Sequence, residues 1–322
     1  MSDKIALSAK KFDVLVVGEL NVDLILNQLE SFPVIGKEVL AQRMLLTLGS
    51  SSAIFASNLS VLGSRVAFCG RIGQDSFGDK IISDLQAKGV DVNHIIRSDT
   101  ADTGITVAFN VSEDRAMVTY PGAMSELKAE EVTDTMLAEA SHLHVSSIFL
   151  QPGLKPGLLS LFKRARKLGL TTSLDPQWDP AEQWECDLEN LLPEISVFLP
   201  NEEELKHLGK APSLEECRAV LGNDDRVVVV KRGNAGATLW TGGRSIDQPA
   251  FVNSAVVDAI GAGDSFNAGF IHRFVQDHTA AACLEFGALC GAINTTQSGG
   301  TTAFNNVEAV RTIASTTFNF QL

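Results

Sequence analysis

The sequence predicts a doubly wound α/β fold, a mostly parallel sheet with helices on both faces, carrying a small β-sheet as a lid. Short β-branched runs alternate with longer segments of helical period, which is the pattern of a parallel sheet covered by helices. The runs are apolar on successive residues, as strands buried on both faces must be. Two segments break this rhythm with alternating apolar and polar residues, as antiparallel strands with one wet face do.

The buried strands are expected at Phe12–Gly18, Arg65–Cys69, His142–Val145, Thr171–Leu174, Val197–Pro200 and Arg226–Lys231. Between them Ser51–Leu62, Ser76–Lys88, Gly157–Leu168 and Glu202–Leu208 read as helices, several opened by Ser, Asp or Asn and closed by Gly. The alternating segments are Val34–Leu46 and Thr103–Tyr120, the second with a turn at Glu113–Asp114. They predict one domain over residues 1–322 with a discontinuous lid formed by about 34–46 and 94–122. The lid is placed to cover a ligand or to meet a second subunit as a homodimer. Gly263–Val275 and Thr279–Gln297 are long, helical and apolar on one side.

With 322 residues and 45% hydrophobic content, the chain can bury a large core. Its net charge of −13 repels a phosphate backbone, and no Lys/Arg-rich run interrupts it, which argues against nucleic acid as a partner. No stretch reaches transmembrane length without charges, and Met1–Lys11 lacks the apolar core of a secretory signal. Neither a membrane partner nor export is expected. Cys69, Cys186, Cys217, Cys283 and Cys290 are odd in number and contain no CxxC pair, so a reducing cytoplasm is the expected setting.

The chemistry concentrates in Val256–Phe270, where Gly261, Ala262 and Gly263 precede Asp264 at the mouth of a long helix. Glycines there let an anion approach backbone amides, and a helix N-terminus favours negative charge. A carboxylate directly after such an anion hole can accept the proton of an attacking hydroxyl during phosphoryl transfer. Taken alone, the same residues also read as a capped tight turn.

The stretch Asp258 to Gly269 resembles the signature of the ribokinase (PfkB) family of carbohydrate kinases, D-T-x-G-A-G-D-x-F-x-A-G, with Ala259 in place of Thr. The resemblance implies a ribokinase-like fold and ATP-dependent phosphorylation of a sugar hydroxyl. It implies Asp264 as base and the amides of Gly261, Ala262 and Gly263 as anion hole. It also implies Mg²⁺ bridging phosphates and a monovalent cation such as K⁺ beside Asp258; the Ala259 change removes a hydroxyl near that cation.

Further motifs follow in the family's order from Val14 to Gly300. Gly18–Asp23 resembles the sugar site, implying substrate contacts from Asn21 and Asp23; a carboxylate accepts two hydroxyls in one geometry. On residues alone Asp23 reads equally as a turn. Gly49-Ser50 stands for the usual Gly-Gly pair and Ile54 for an Asn, which removes a polar sugar contact and points away from ribose. Asn201 and Glu204 resemble the N-x-x-E motif, implying that Glu204 arranges Mg²⁺ through water; they also read as a capping box, and both readings stand. Lys231, Gly233 and Gly236 resemble the strand and turn beside ATP, and Asn294 the helix end over adenine. Lys231 reads equally as half of a solvated pair.

Gln177 and Asp179 stand where many relatives carry D-x-N-x-R, leaving Gln177 as a substrate contact and no Arg to grip an acidic sugar. His142 and His144 read as core residues. Two other functions share parts of this pattern, a nucleoside kinase and a catalytically silent sugar sensor. A dinucleotide-binding oxidoreductase is excluded by the single glycine of Gly18–Asp23, and no G-x-x-x-x-G-K-[ST] loop occurs.

Overall fold

A computed structural model describes residues 10–111, 114–221 and 226–322. The strands are β1 (Phe12–Val17), β2 (Asn21–Asn27), β3 (Arg43–Leu48), β4 (Val66–Ile72), β5 (Asp91–Arg97), β6 (Gly104–Val111), β7 (Asp114–Tyr120), β8 (Ala140–Ser146), β9 (Thr171–Asp175), β10 (Val197–Phe198), β11 (Val227–Lys231), β12 (Ala237–Thr241) and β13 (Arg244–Gln248). The helices are α1 (Ser51–Val61), α2 (Ser76–Ala87), α3 (Asp134–Ala138), α4 (Leu158–Lys167), α5 (Leu188–Leu191), α6 (Glu202–Gly209), α7 (Leu214–Leu221), α8 (Ala262–Phe274), α9 (Ala280–Asn294) and α10 (Val307–Phe318).

The large sheet has nine strands in the order β13-β12-β11-β10-β9-β8-β1-β4-β5. It is parallel from β11 to β5, and the β12–β13 hairpin closes one edge in antiparallel pairing. Alternate residues of each strand serve opposite layers. Leu15 and Val17 pack with Phe162 and Leu205 in the layer of α4 and α6, while Val14 and Val16 pack with Phe55, Phe270 and Leu284 in that of α1, α8 and α9. Two-sided burial explains why runs such as Val14–Val17 are apolar on successive residues.

The chain steps outward from β1 to β4 and β5, then returns to place β8 on the other side of β1 and continues to β11. Reversal at β1/β8 opens a crevice beyond the carboxyl ends of the strands, where ligands of open α/β sheets bind. Glu19, Ser146, Asp175, Asn201 and Lys231 all lie at those ends.

The second sheet has four strands in the order β3-β2-β6-β7. Its composition differs from expectation in three ways. No strand forms over 34–42, so only the end of the first expected segment contributes. β5 joins the large sheet beside β4, so residues 94–97 lie outside the small one. β2, whose residues follow the first buried strand, pairs with β3 and β6 and carries Asp23 into the small sheet. Pairing on both edges, rather than a turn, fixes Asp23. Of the expected turn, Glu113 lies outside the described residues and Asp114 begins β7.

Candidate active site

The residues before α8 form a tight loop held from several sides. Gly261 is left-handed at φ 76° and caps the helix. A Cβ there would lie 2.6 Å from Gly300 Cα and 3.2 Å from Ile54 Cγ2, so only glycine fits. Ala262 N donates to Ala259 O at 3.2 Å. Ala262, expected in the anion hole, therefore spends its donor closing the loop. Among the described residues the amides of Gly261 and Gly263 have no such acceptor and lie at the positive end of a thirteen-residue helix.

Asp264 follows these amides and is buried, with Gln177 Nε2 donating to its Oδ1 at 3.0 Å. The same Nε2 donates to Asp175 Oδ2 at 2.8 Å, and Lys231 Nζ pairs with that oxygen at 2.9 Å. Asn267, one turn along α8, also donates to Asp175. Thus Gln177, which holds a left-handed backbone at φ 59°, sits on the expected base itself. Burial pushes the Asp264 carboxyl up to about 8; Asp175, Glu19 and Glu204 add to the rise and Lys231 opposes it. Burial alone would draw the Lys231 ammonium down, but Asp175 and Glu204 beside it leave it raised and charged. The reading of Lys231 as a solvated pair is thereby corrected, because its partner Asp175 is fully buried. A Cβ on Gly263 would approach Lys231 Nζ to 3.7 Å, so this cation stands next to the unpaired amides.

Asn201 and Glu204 form a reciprocal cap at the start of α6. Glu204 N donates to Asn201 Oδ1 at 2.8 Å, and Asn201 N and Nδ2 donate to the Glu204 carboxylate at 2.8 and 2.6 Å. Burial, then Asp175, push Glu204 up to about 7 against the pull of Lys231. The capping box thus uses the same atoms that the expected water-mediated metal role would need. Among the described residues no group of three or more acidic, His or Cys side chains forms a direct metal cage.

The loop before α8 is tied down by groups expected elsewhere. Asn294 is fully buried; its Nδ2 donates to Ile260 O at 2.6 Å and its Oδ1 accepts from Ser265 Oγ at 3.0 Å. Its amide positions the loop that leads into α8. Asp258 accepts from Ile260 N at 2.9 Å and from Gly299 N at 3.0 Å, joining two loops. Ile54, which stands where the family often has Asn, packs its side chain against Gly261 and Gly300. Gly233 and Gly236 form the left-handed turn between β11 and β12, two and five residues past Lys231. Asp179 is turned inward as a loop anchor, accepting from the amides of Ala181, Gln183 and Trp184.

Across the crevice, Asn21 Nδ2 donates to Asp23 Oδ1 at 3.0 Å and to Thr106 Oγ1 at 3.1 Å. Gly49 presses its backbone on both, since a Cβ would fall 2.2 Å from Asp23 Oδ1 and 2.6 Å from Asn21 Nδ2. Ser50, expected as a substrate contact, caps α1. It holds φ 68°, accepts from Ala53 N at 3.0 Å and donates to Glu19 O. Glu19 was missed by sequence reasoning. Its buried carboxylate accepts from Ser52 N and Oγ, and Ser52 Oγ meets Ser146 Oγ at 2.6 Å, which locks the start of α1 to the ends of β1 and β8. Burial raises it against these bonds. His142 and His144 flank Ser173 Oγ, each at 2.7 Å, and burial lowers both rings, so they are neutral core residues.

A carboxyl beside unpaired helix amides and a buried lysine is an arrangement for transferring an anionic group to a hydroxyl. The model of the pfkB family of carbohydrate kinases matches residues 11–306. The chain belongs to this family. It is a carbohydrate kinase, a phosphotransferase with an alcohol group as acceptor. It is 29% identical, over 90% of its length and 94% of the relative's, to a protein named ATP-dependent ribose-1-phosphate kinase from Halopiger xanaduensis. The fold matches a putative ribokinase II of E. coli in complex with ATP and Mg²⁺, with TM-score 0.80, 23% identity and coverage of 94% and 98% of the two chains. It matches adenosine kinase from Sinorhizobium meliloti with TM-score 0.81, 22% identity and coverage of 94% and 99%.

Proposed function

We propose that this kinase transfers the γ-phosphoryl group of ATP to a hydroxyl of a sugar, with Asp264 as proton acceptor. The observation that carries the reading is the Asp264 carboxyl next to the unpaired Gly261 and Gly263 amides and Lys231. The acceptor hydroxyl donates its proton toward Asp264 as its oxygen attacks the γ-phosphorus. The bond to the β–γ bridging oxygen breaks, ADP leaves, and the proton resides on Asp264. Gly261 and Gly263 donate to the charge that develops on the phosphoryl oxygens, and Lys231 supplies a fixed positive charge nearby.

Mg²⁺, when bound, neutralises phosphate charge and favours in-line geometry. Glu204 and Asn201 would hold it through water, as suits a cation that keeps most of its hydration and a carboxylate already committed to a cap. Asp258 is the candidate carboxylate for a monovalent cation, which would steady the two loops it joins. Gly233 and Gly236 remove side chains at two positions of the turn after β11, which would let a nucleotide approach its backbone. Asp23, Asn21 and Gly49 would receive the sugar. The test is ADP release on a panel of pentoses, hexoses, keto-acid sugars and nucleosides. ADP release that no added acceptor increases overturns the reading; turnover of nucleosides alone replaces the sugar by a nucleoside.

Among the described residues no helix is long and apolar enough to cross a membrane. The five cysteines are unpaired, which suits a reducing compartment such as the cytoplasm. The small sheet also supports a homodimer. Register puts Tyr120, Val118, Leu24, Leu26, Val107 and Met44 on the face opposite Asp23, and Met44, Val118 and Tyr120 are 68%, 64% and 51% exposed. A second copy would bring the same strip, so a two-fold pairing covers both. Val118→Asp is expected to convert a dimer to a monomer in sedimentation; an unchanged association state excludes this face.

A further inference from the structure

The loop after β9 carries one amide to two acids. Gln177 Nε2 lies 3.0 Å from Asp264 Oδ1 and 2.8 Å from Asp175 Oδ2. An amide nitrogen has two hydrogens and an ionised carboxylate only accepts, so one N–H serves each acid and no amide hydrogen is left for an acceptor. Among the described residues Gln177 is the one hydrogen-bond donor to the Asp264 side chain, and it engages a single oxygen. The second oxygen is left for an attacking hydroxyl, on a side chain that keeps 8% exposure.

Both ends of this link are anchored. Asp175 is fully buried, and its Oδ2 accepts from Lys231 Nζ at 2.9 Å and from Asn267 as well as from Gln177. Strands β9 and β11 and helix α8 thus meet at one oxygen, and Gln177 extends that anchorage to Asp264. On the far side, Asp179 holds the loop through the amides of Ala181, Gln183 and Trp184 at 2.9, 3.0 and 2.7 Å. Trp184 stacks on His207 of α6 with ring planes 2° apart, and Trp178, next to Gln177, meets both rings edge-on. Gln177 itself takes a left-handed φ of 59°, a conformation that a residue other than glycine keeps only where its surroundings impose it.

We propose that Gln177 is a positioning residue for Asp264, its amide tying one carboxylate oxygen to Asp175 so that the other faces the acceptor hydroxyl. The inference rests on the kinase reading above and deepens it. Two effects follow from the bond. It fixes the direction of the base, and a reacting group misplaced by about 1 Å can lose about 10²-fold in rate. It also favours the ionised form, the one able to take a proton, against the burial that disfavours it. The other charged groups around Asp264 are Asp175 of β9, Glu19 after β1 and Glu204 of α6, which oppose its ionisation, and Lys231 of β11, which favours it. Among the described residues none of these donates a hydrogen bond to it.

The test is Gln177→Met, which keeps the length of the side chain and has no donor, in the full chain with MgATP and an acceptor that the native chain turns over. Its kcat is expected to fall about 10–100-fold, with KM for acceptor and for ATP within about threefold of native. The acid limb of the rate with both substrates below saturation is expected to move about one unit to higher pH. In the Asp264→Asn background the same replacement is expected to cost less than about threefold, because the group it acts through is already gone. A raised acceptor KM with the acid limb in place would make Gln177 a substrate contact and overturn the inference, as would a loss of kcat that multiplies in full with that of Asp264→Asn. Should Gln177→Met fail to fold, Gln177→Asn, whose shorter amide cannot span both acids, is expected to move the limb in the same direction, and a limb that stays in place overturns the inference there too. Each of these results leaves the kinase reading standing, whereas absence of turnover with every sugar and nucleoside overturns both.

Discussion

Replacing Asp264 by Asn is expected to lower kcat by about 10²–10⁴-fold, the range a positioned proton acceptor contributes, while the affinity for ATP stays near that of the native protein. Asn keeps the shape of the side chain and an oxygen that can still accept from Gln177 Nε2, which now stands 3.0 Å from Asp264 Oδ1. What it loses is the ability to take a proton. The same change is expected to stabilise the fold in a pH-dependent way. The native carboxyl is raised to about 8, chiefly by burial, whereas in the unfolded chain it titrates near 3.8. Between those values the folded state holds a proton that the unfolded state has released. The stability this gives is complete below the unfolded value and is lost as pH rises through the folded one. Asn has no such dependence, so the gain in unfolding temperature of the variant should grow from pH 5 to pH 9. Unchanged turnover, or turnover lost together with ATP binding, would contradict the assignment.

Gly261→Ala is expected to cost turnover about 10²–10³-fold, the effect of withdrawing a donor from a preorganised anion site. An Ala residue at φ 76° is strained by roughly 1–2 kcal/mol. Its Cβ would also meet Gly300 Cα at 2.6 Å, backbone that cannot turn aside as a side-chain end can. Relief requires the loop to move, and the amides of Gly261 and Gly263 move with it. Stability should suffer less than activity, because Ile54 and Asn294 still anchor the loop from both sides. Paired measurements of kcat and unfolding temperature check this; a variant with native kcat would show that these amides do not serve the reaction.

The large sheet was legible because burial on two faces favours short apolar runs without alternation, clearest in Val14–Val17 of β1 and Val227–Val230 of β11, a pattern that local composition carries. The signature before α8 was legible through its resemblance, from Asp258 to Gly269, to a family pattern; taken alone, the glycines and Asp264 also read as a capped tight turn. Harder cases depended on distant pairing. β2 follows a glycine turn and mixes Asn and Asp with Val and Leu, and only its neighbours β3 and β6 make it a strand. The β12–β13 hairpin left a signal, Gly242-Gly243 in left-handed conformation, that went unread. Glu19 gave none at all. Its partners Ser52 and Ser146 lie far along the chain, and a single Glu after a strand looks like a solvated end. The packing of Ile54 against Gly261 and Gly300 left no signal for the same reason, since these contacts are made only in the folded chain.

The most direct measurement of the central claim is the pH dependence of the rate with both substrates below saturation, the condition that reports ionisations of the free enzyme. Asp264 as base predicts a rate that rises tenfold per pH unit on the acid side and levels near pH 8, where its carboxyl has lost the proton. A rate independent of pH between 6 and 9 would contradict it, as would a native acid limb retained unchanged in the residual activity of Asp264→Asn.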